Sequence, residues 1–565
     1  MILPTNLCRR FNLSCLTPWL MTSLACLALP SCVSLAPYRT TAVGEVSCLF
    51  ADTHADPTSD GYGAVPPRCA SLMKETAFPV DPGVPNYSLH FVEFDDQGRL
   101  FPGDADHPDI SNQTELMLSD IRSIVKPPHG DQDGGAAVSI VVFVHGWKHD
   151  AETNDSNVRW FRAMLSKLND VEKISECKRQ VIGVYAGWHG AATTLPLVED
   201  ATFWTRKKAA GRVAEGEVRE LLTRLRAIQD IRNAKWNGYV EASRQHPKEG
   251  LTEPHLACSK KVRLTIVGHS FGGLVVYNAL DQSLIRDVAD LHERMLDAND
   301  PVIDPLLTRE GDLIVTINPA VEAARFVPLW FAARAAHPKS YHAPTFVSIT
   351  STDDDATRLA FPAARSLNTL LNHYPKGNSG EHGAAIETIG QDQDYIDYDL
   401  NTISNLNKNR PAGEDQLVTD PACEQLKGAD FAHRYLGELA HLEKFDAALR
   451  QHPDANDPAL GAHPKTGEPA GIFPRQLCIN DNHFKDGDLS MALRPRRGVN
   501  LNSPIWNVST ARPIVDGHSD LLNPLLVDFL RQLYEEGTRP DLNHLTSSAP
   551  GPDMDAAGRP KRSMP

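Results

Sequence analysis

The sequence predicts an α/β protein, with a mostly parallel central sheet carrying helices on both faces. Three observations predict it. Apolar runs at 138–144, 181–185, 262–267, 312–317 and 345–350 are rich in β-branched residues, and the first is unbroken, as strands buried on both faces require. Stretches with helical spacing separate them, and strand–helix alternation of this kind builds parallel sheets. Finally, Gly268-His269-Ser270-Phe271-Gly272-Gly273 joins the run 262–267 directly to a helix-compatible run beginning at Leu274. So abrupt a strand-to-helix turn lifts a serine hydroxyl above a sheet, next to a helix N-terminus that favours negative charge.

The elements follow in order. Residues 1–31 read as a signal peptide: Arg9 and Arg10 precede a mostly apolar stretch, which Pro18 interrupts and which is short for a membrane helix. Residues 32–86, rich in Pro, Gly, Ser and Asp, read as a linker or irregular leader. Residues 87–94 alternate as a strand, 95–98 turn, and 99–101 return as a strand. Residues 112–126 and 155–169 read as helices, and 190–257 as a helical cap or insertion. Residues 375–500 are polar and rich in Asp, Asn, Gly and Pro, and read as one long insertion or lid before a last strand at 503–508. A helix at 520–535 closes a domain spanning 87–538, and 539–565 reads as a disordered tail.

Composition narrows the function classes. At 565 residues, with 41% apolar and 23% charged residues, the chain can bury a large core. A formal net charge of −16 gives no electrostatic support to nucleic-acid binding. The short cluster Arg206-Lys207-Lys208 lies in a helical stretch and reads as a solvated face. Leu29-Pro30-Ser31-Cys32 resembles the cleavage box of bacterial lipoproteins, which implies lipidation of Cys32 and a membrane anchor in the periplasm or outer membrane. The alternative is an ordinary cleaved signal and secretion. Beyond Cys32 six cysteines remain (Cys48, Cys69, Cys177, Cys258, Cys423 and Cys478), an even number that fits disulfides in an oxidising compartment. The sequence does not fix the connectivity: Cys48 with Cys69 is the natural local pair, and Cys177 with Cys258 would bracket the segment before the strand at 262–267.

A nucleophilic Ser270 needs a base, an acid that orients the base, and two backbone donors for an oxyanion. His145-Gly146-Trp147 follows the strand at 138–144. Ser351-Thr352-Asp353-Asp354-Asp355 follows the strand at 345–350. Val515-Asp516-Gly517-His518 lies between the last strand and the last helix. His483 competes with His518 as the base. The three adjacent aspartates also fit a helix-capping acidic turn.

Together these motifs resemble the α/β-hydrolase superfamily, and within it serine esterases and lipases with a Gly-His-Ser-Phe-Gly-Gly elbow. The resemblance covers about residues 87–535. It implies an α/β-hydrolase fold and a catalytic triad of Ser270, Asp354 and His518, with Asp353 as the alternative acid. It further implies oxyanion donors at the backbone N–H groups of Trp147 and Phe271, supported by His145, Gly146, Gly268 and Gly272. Trp147, His149, Trp188 and His189 either line a substrate pocket or pack under a cap. The implied reaction is cleavage of small-molecule or lipid esters, with no metal or organic cofactor. Acyl transfer and amide cleavage use the same triad, and a non-catalytic binding protein on this scaffold is a further alternative.

Overall fold

The structure, a computed structural model, describes residues 36–42, 48–51, 65–79, 85–125, 136–175, 177–190, 203–245, 262–296, 313–336, 344–369, 379–402, 473–478, 490–496, 499 and 503–538. In chain order these form β1 (Cys48–Ala51), β2 (Lys74–Phe78), β3 (Tyr87–Phe94), α1 (Gln113–Ile124), β4 (Val138–Val144), α2 (Ser156–Ile174) and β5 (Gln180–Trp188). Next come α3 (Phe203–Glu215), α4 (Glu217–Gln245), β6 (Val262–His269), α5 (Phe271–Leu296), β7 (Leu313–Ile317), α6 (Ala323–Ala335) and β8 (Phe346–Ser351). The remainder are α7 (Phe361–Thr369), α8 (Ser379–Ile386), β9 (Tyr398–Thr402), β10 (Phe473–Cys478), β11 (Ser490–Pro495), β12 (Ile505–Thr510) and α9 (Pro524–Thr538).

The strands make one mixed, mostly parallel sheet in the order β1-β2-β3-β5-β4-β6-β7-β8-β12-β9-β11-β10. Among the described residues, only β2 with β3, β9 with β11, and β10 with β11 pair antiparallel in it. The period of two in β4 sorts its side chains between two cores. Val138, Ile140, Val142 and Val144 pack on the face that α1, α3, α4, α5 and α6 cover. Val141 and Phe143 pack on the face that α2 and α9 cover. Helices on both faces explain why β4 is apolar at every position but Ser139, whose hydroxyl bonds the buried Tyr534 hydroxyl.

Several expectations change. The leader 32–86 contributes β1 and β2 to the sheet, and the Cys48–Cys69 disulfide joins the segment to itself. Arg39, fully buried, ties this segment to the body. Its guanidinium bonds Glu75 and the carbonyls of Cys69, Leu72 and Ala151, and its backbone N–H donates to Glu93. Composition hid this because the tie is made by buried charge rather than by an apolar pattern. The described part of the expected cap is a core layer: Ala209, Val213, Leu221 and Leu225 of α3 and α4 share the core of α5. The described parts of 375–500 extend the sheet through β9, β10 and β11. The expected strand at 99–101 is a single bridge from Leu100 to Phe94.

Arg206 and Lys207 do not form a solvated face. Arg206 binds Asp96 through both carboxylate oxygens at 2.9 and 2.8 Å, and Lys207 Nζ lies 2.6 Å from Glu322. Both side chains are buried, and burial pulls the Lys207 amine down to about 8. Lys208 alone of the three is exposed. Cys177 is also disulfide-bonded. Its expected partner Cys258, together with Cys32, Cys423, His483, the signal region and the tail, lies outside the described residues.

Candidate active site

Parallel strands deliver their C-terminal ends to one edge, where open α/β sheets gather functional loops. His145-Gly146-Trp147 follows β4, Ser270 follows β6, Asn318 follows β7, Asp354 follows β8 and His518 follows β12. Five chain segments thus meet at that edge.

Ser270 has φ of 56°, a conformation that costs a non-glycine residue about 1–3 kcal/mol and persists only when its surroundings impose it. They do so here. The Ser270 N–H donates to the Ile317 carbonyl at 2.9 Å, and the Ser270 carbonyl accepts from Leu274 and Ala320, each at 3.2 Å. The turn is too tight for side chains beside it. A Cβ on Gly272 would lie 2.0 Å from the Val144 carbonyl oxygen, and one on Gly268 would lie 2.6 Å from that of Gly272. Gly146 brings the loop after β4 against the serine, since a Cβ there would lie 2.9 Å from Ser270 Cβ.

His518 Nε2 lies 2.7 Å from Ser270 Oγ, and His518 Nδ1 lies 2.8 Å from Asp354 Oδ2. An ionised carboxylate can only accept, so Nδ1 carries the proton and Nε2 is left to accept from the serine hydroxyl. Asp354 is fully buried. Its Oδ2 also accepts from the Thr357 hydroxyl at 2.7 Å, and its Oδ1 accepts from the N–H groups of Ala356 and Thr357. Burial alone would raise its pKa. The hydrogen bonds and charge from His518, with the bonds from Thr357, outweigh burial and hold the carboxyl below its ordinary range.

The other two aspartates do different work. Asp353 Oδ2 accepts from the Arg512 N–H at 2.8 Å, and Asp355 pairs with Arg358 at the surface. His145 is buried among aromatic rings. Its Nε2 accepts from the Trp188 N–H, its Nδ1 donates to the Gly146 carbonyl, and the Trp188 indole N–H returns a bond to the His145 carbonyl. Burial lowers the His145 pKa to about 4, so the ring is neutral and fixes the loop. Trp188 is therefore committed to packing. His149 bonds Asp155 and Asn157. The Trp147 ring lies beside Phe203 and Phe271.

No family model, curated protein or solved structure matches the chain. What the site can do follows from its own geometry: a proton can move from a serine hydroxyl to an imidazole whose far side is held by a buried carboxylate. Three contributors had no distinguishing signal in the sequence. His269 donates from Nε2 to the His518 carbonyl at 2.9 Å, Asn318 donates to the Gly517 and His518 carbonyls, and Thr357 holds Asp354. His269 fills the variable position before the serine, and Asn318 follows the end of β7, places that sequence patterns leave free.

Proposed function

We propose that this chain is a serine hydrolase of the α/β-hydrolase superfamily that cleaves carboxylic esters through an acyl-enzyme on Ser270. The observation that carries the reading is the unbroken hydrogen-bond chain from Ser270 Oγ through both ring nitrogens of His518 to the buried Asp354. The order nucleophile, acid, histidine along the chain, each after a parallel strand of the same sheet, supports the superfamily.

Ser270 Oγ attacks the acyl carbon while His518 Nε2 takes the hydroxyl proton. The carbonyl oxygen becomes an oxyanion, to which the N–H groups of Phe271 and Trp147 donate. Phe271 is the first residue of α5, so its N–H has no partner within the helix. His518 then returns the proton to the departing alkoxide, which leaves as the alcohol, and the acyl group stays on Ser270. Water repeats the sequence: His518 takes its proton, the hydroxide attacks the acyl-enzyme, and Ser270 recovers its hydrogen as the carboxylic acid leaves. Asp354 keeps His518 in the required tautomer and balances its transient positive charge. Apart from the ester and water, the groups these steps use are residues of this chain.

We also propose export, with a membrane anchor at Cys32. The Cys48–Cys69 disulfide supports an oxidising compartment. The test of the activity is hydrolysis of p-nitrophenyl esters of increasing chain length by the native chain and by Ser270→Ala. Turnover by the native chain alone supports the reading, and equal rates for the two overturn it. Added alcohol that diverts the acyl group from water would instead assign acyl transfer.

A further inference from the structure

We infer that His269 and Asn318 are positioning residues that hold the turn carrying His518 at a fixed distance from Ser270 and from the loop after β4. The inference rests on the serine-hydrolase reading and names residues outside the triad and the oxyanion donors.

The His518 turn passes through Gly517 at φ of 81°, a left-handed conformation that glycine adopts without strain. Its two adjacent carbonyls are gripped from outside. The His518 carbonyl accepts from His269 Nε2 at 2.9 Å and from Asn318 Nδ2 at 3.0 Å, and the Gly517 carbonyl accepts from the same Asn318 nitrogen at 3.1 Å. Both grips are themselves anchored. His269 ends β6 and is buried. Asn318 accepts from the Ser351 N–H at 2.9 Å and donates its own N–H to the Ile349 carbonyl at 2.8 Å.

The His269 ring also touches the other side of the site. A Cβ on Gly146 would lie 2.9 Å from His269 Nδ1, so the edge away from His518 packs against the loop after β4. One rigid ring therefore spaces the base turn from the oxyanion side. Nδ1 has no hydrogen-bond partner among the described residues, and the Nε2 bond to a carbonyl requires Nε2 to carry the proton. Burial, with His518, His149 and His145 around it, holds the ring well below the ordinary histidine range, so this neutral tautomer is the working one. Ser270 is referenced to the same place, since its N–H bonds Ile317, the neighbour of Asn318. The ends of β6 and β7 thus fix nucleophile and base together.

The test uses the full chain and a p-nitrophenyl ester, with Ser270→Ala as the blank. His269→Phe keeps a flat ring and removes the donor, His269→Gln restores a donor near the Nε2 position, and Asn318→Asp keeps the acceptor but turns an oxygen toward two carbonyls. A misplaced base costs on the order of 10²-fold, so His269→Phe and Asn318→Asp are expected to lose about that much in kcat. KM should stay within about threefold, because a base that is out of place weakens the transition state rather than the bound substrate. His269→Gln should recover most of the loss. The far-downfield proton resonance of the His518–Asp354 bond should shift in His269→Phe and return in His269→Gln.

Native near-UV dichroism with kcat within about threefold of native in His269→Phe or Asn318→Asp would overturn the inference. So would equal losses in the Phe and Gln variants, or losses that only accompany global unfolding. A native chain no faster than the blank would contradict the hydrolase reading instead. The resonance, which needs no turnover, would then decide whether His269 holds His518 in place.

Discussion

Asp354 Oδ2 accepts a hydrogen bond from His518 Nδ1 across 2.8 Å, whereas the neighbouring Asp353 spends its carboxylate on the Arg512 backbone. Two adjacent acids of the same type thus have separate tasks. Asp354→Asn places an amide where only an acceptor serves, and stabilises the wrong tautomer of His518. The expected loss in kcat is on the order of 10³–10⁴-fold. Asp353→Asn keeps an oxygen for Arg512 and should stay within about tenfold of native. Steady-state kinetics on the two variants separate the roles, and comparable losses would contradict the assignment.

Gly146 offers a test of the oxyanion side that leaves the triad chemically intact. Its Cα approaches Ser270 so closely that a methyl group would lie 2.9 Å from Ser270 Cβ. Gly146→Ala should push the loop, and with it the Trp147 N–H, away from the oxyanion position. Loss of one such donor costs about 10²–10³-fold in kcat. Single-turnover acylation by a p-nitrophenyl ester reads that loss directly. An unchanged acylation rate in a folded Gly146→Ala protein would remove Trp147 from the mechanism.

Glu93 predicts a pH-dependent stability far from the triad. Burial raises its carboxyl to about 7, against the bonds from the Tyr38 and Arg39 N–H groups that lower it. The folded chain therefore holds a proton that the unfolded chain has released between the ordinary carboxylate pKa and about 7. Stability from this group is fully present below the unfolded value and is lost as pH rises through the folded one. Replacing Glu93 by Gln removes that term. The stability difference between native and Glu93→Gln should shift against the native chain by up to about 3 kcal/mol between pH 4.5 and pH 8. Urea titrations across this range measure it, and a pH-independent difference would show that Glu93 is ionised throughout.

Much of the site's outline was readable because its constraints are local. The elbow shows in the sequence since glycines are required on both sides of Ser270, and the order of motifs places Asp354 and His518 after the strands that carry them. Parallel strands buried on both faces leave mostly apolar, β-branched runs, which made β4, β6, β7 and β8 legible. What stayed hidden depends on partners distant in the chain. Arg206 and Lys207 look like a solvated pair until Asp96 and Glu322, more than a hundred residues away, are folded against them. The choice among three aspartates is made by His518, far along the chain, whose Nδ1 meets Asp354, while Asp353 meets the Arg512 N–H. His269 and Asn318 act through backbone carbonyls of a turn some two hundred residues later, a relation that leaves no local pattern. By contrast, β9 carries a readable alternation, Tyr398-Asp399-Leu400-Asn401-Thr402, with every second residue buried. Its polar surroundings concealed it.

The central claim is that Ser270 is a nucleophile activated by His518. Reaction with a fluorophosphonate, which captures a serine only when a neighbouring base activates it, tests this without knowledge of the natural ester. The native chain should acquire one phosphonyl group, on the peptide containing Ser270, and Ser270→Ala should acquire none. A folded native chain that stays unlabelled, or labelling of both proteins to the same extent, would contradict the account.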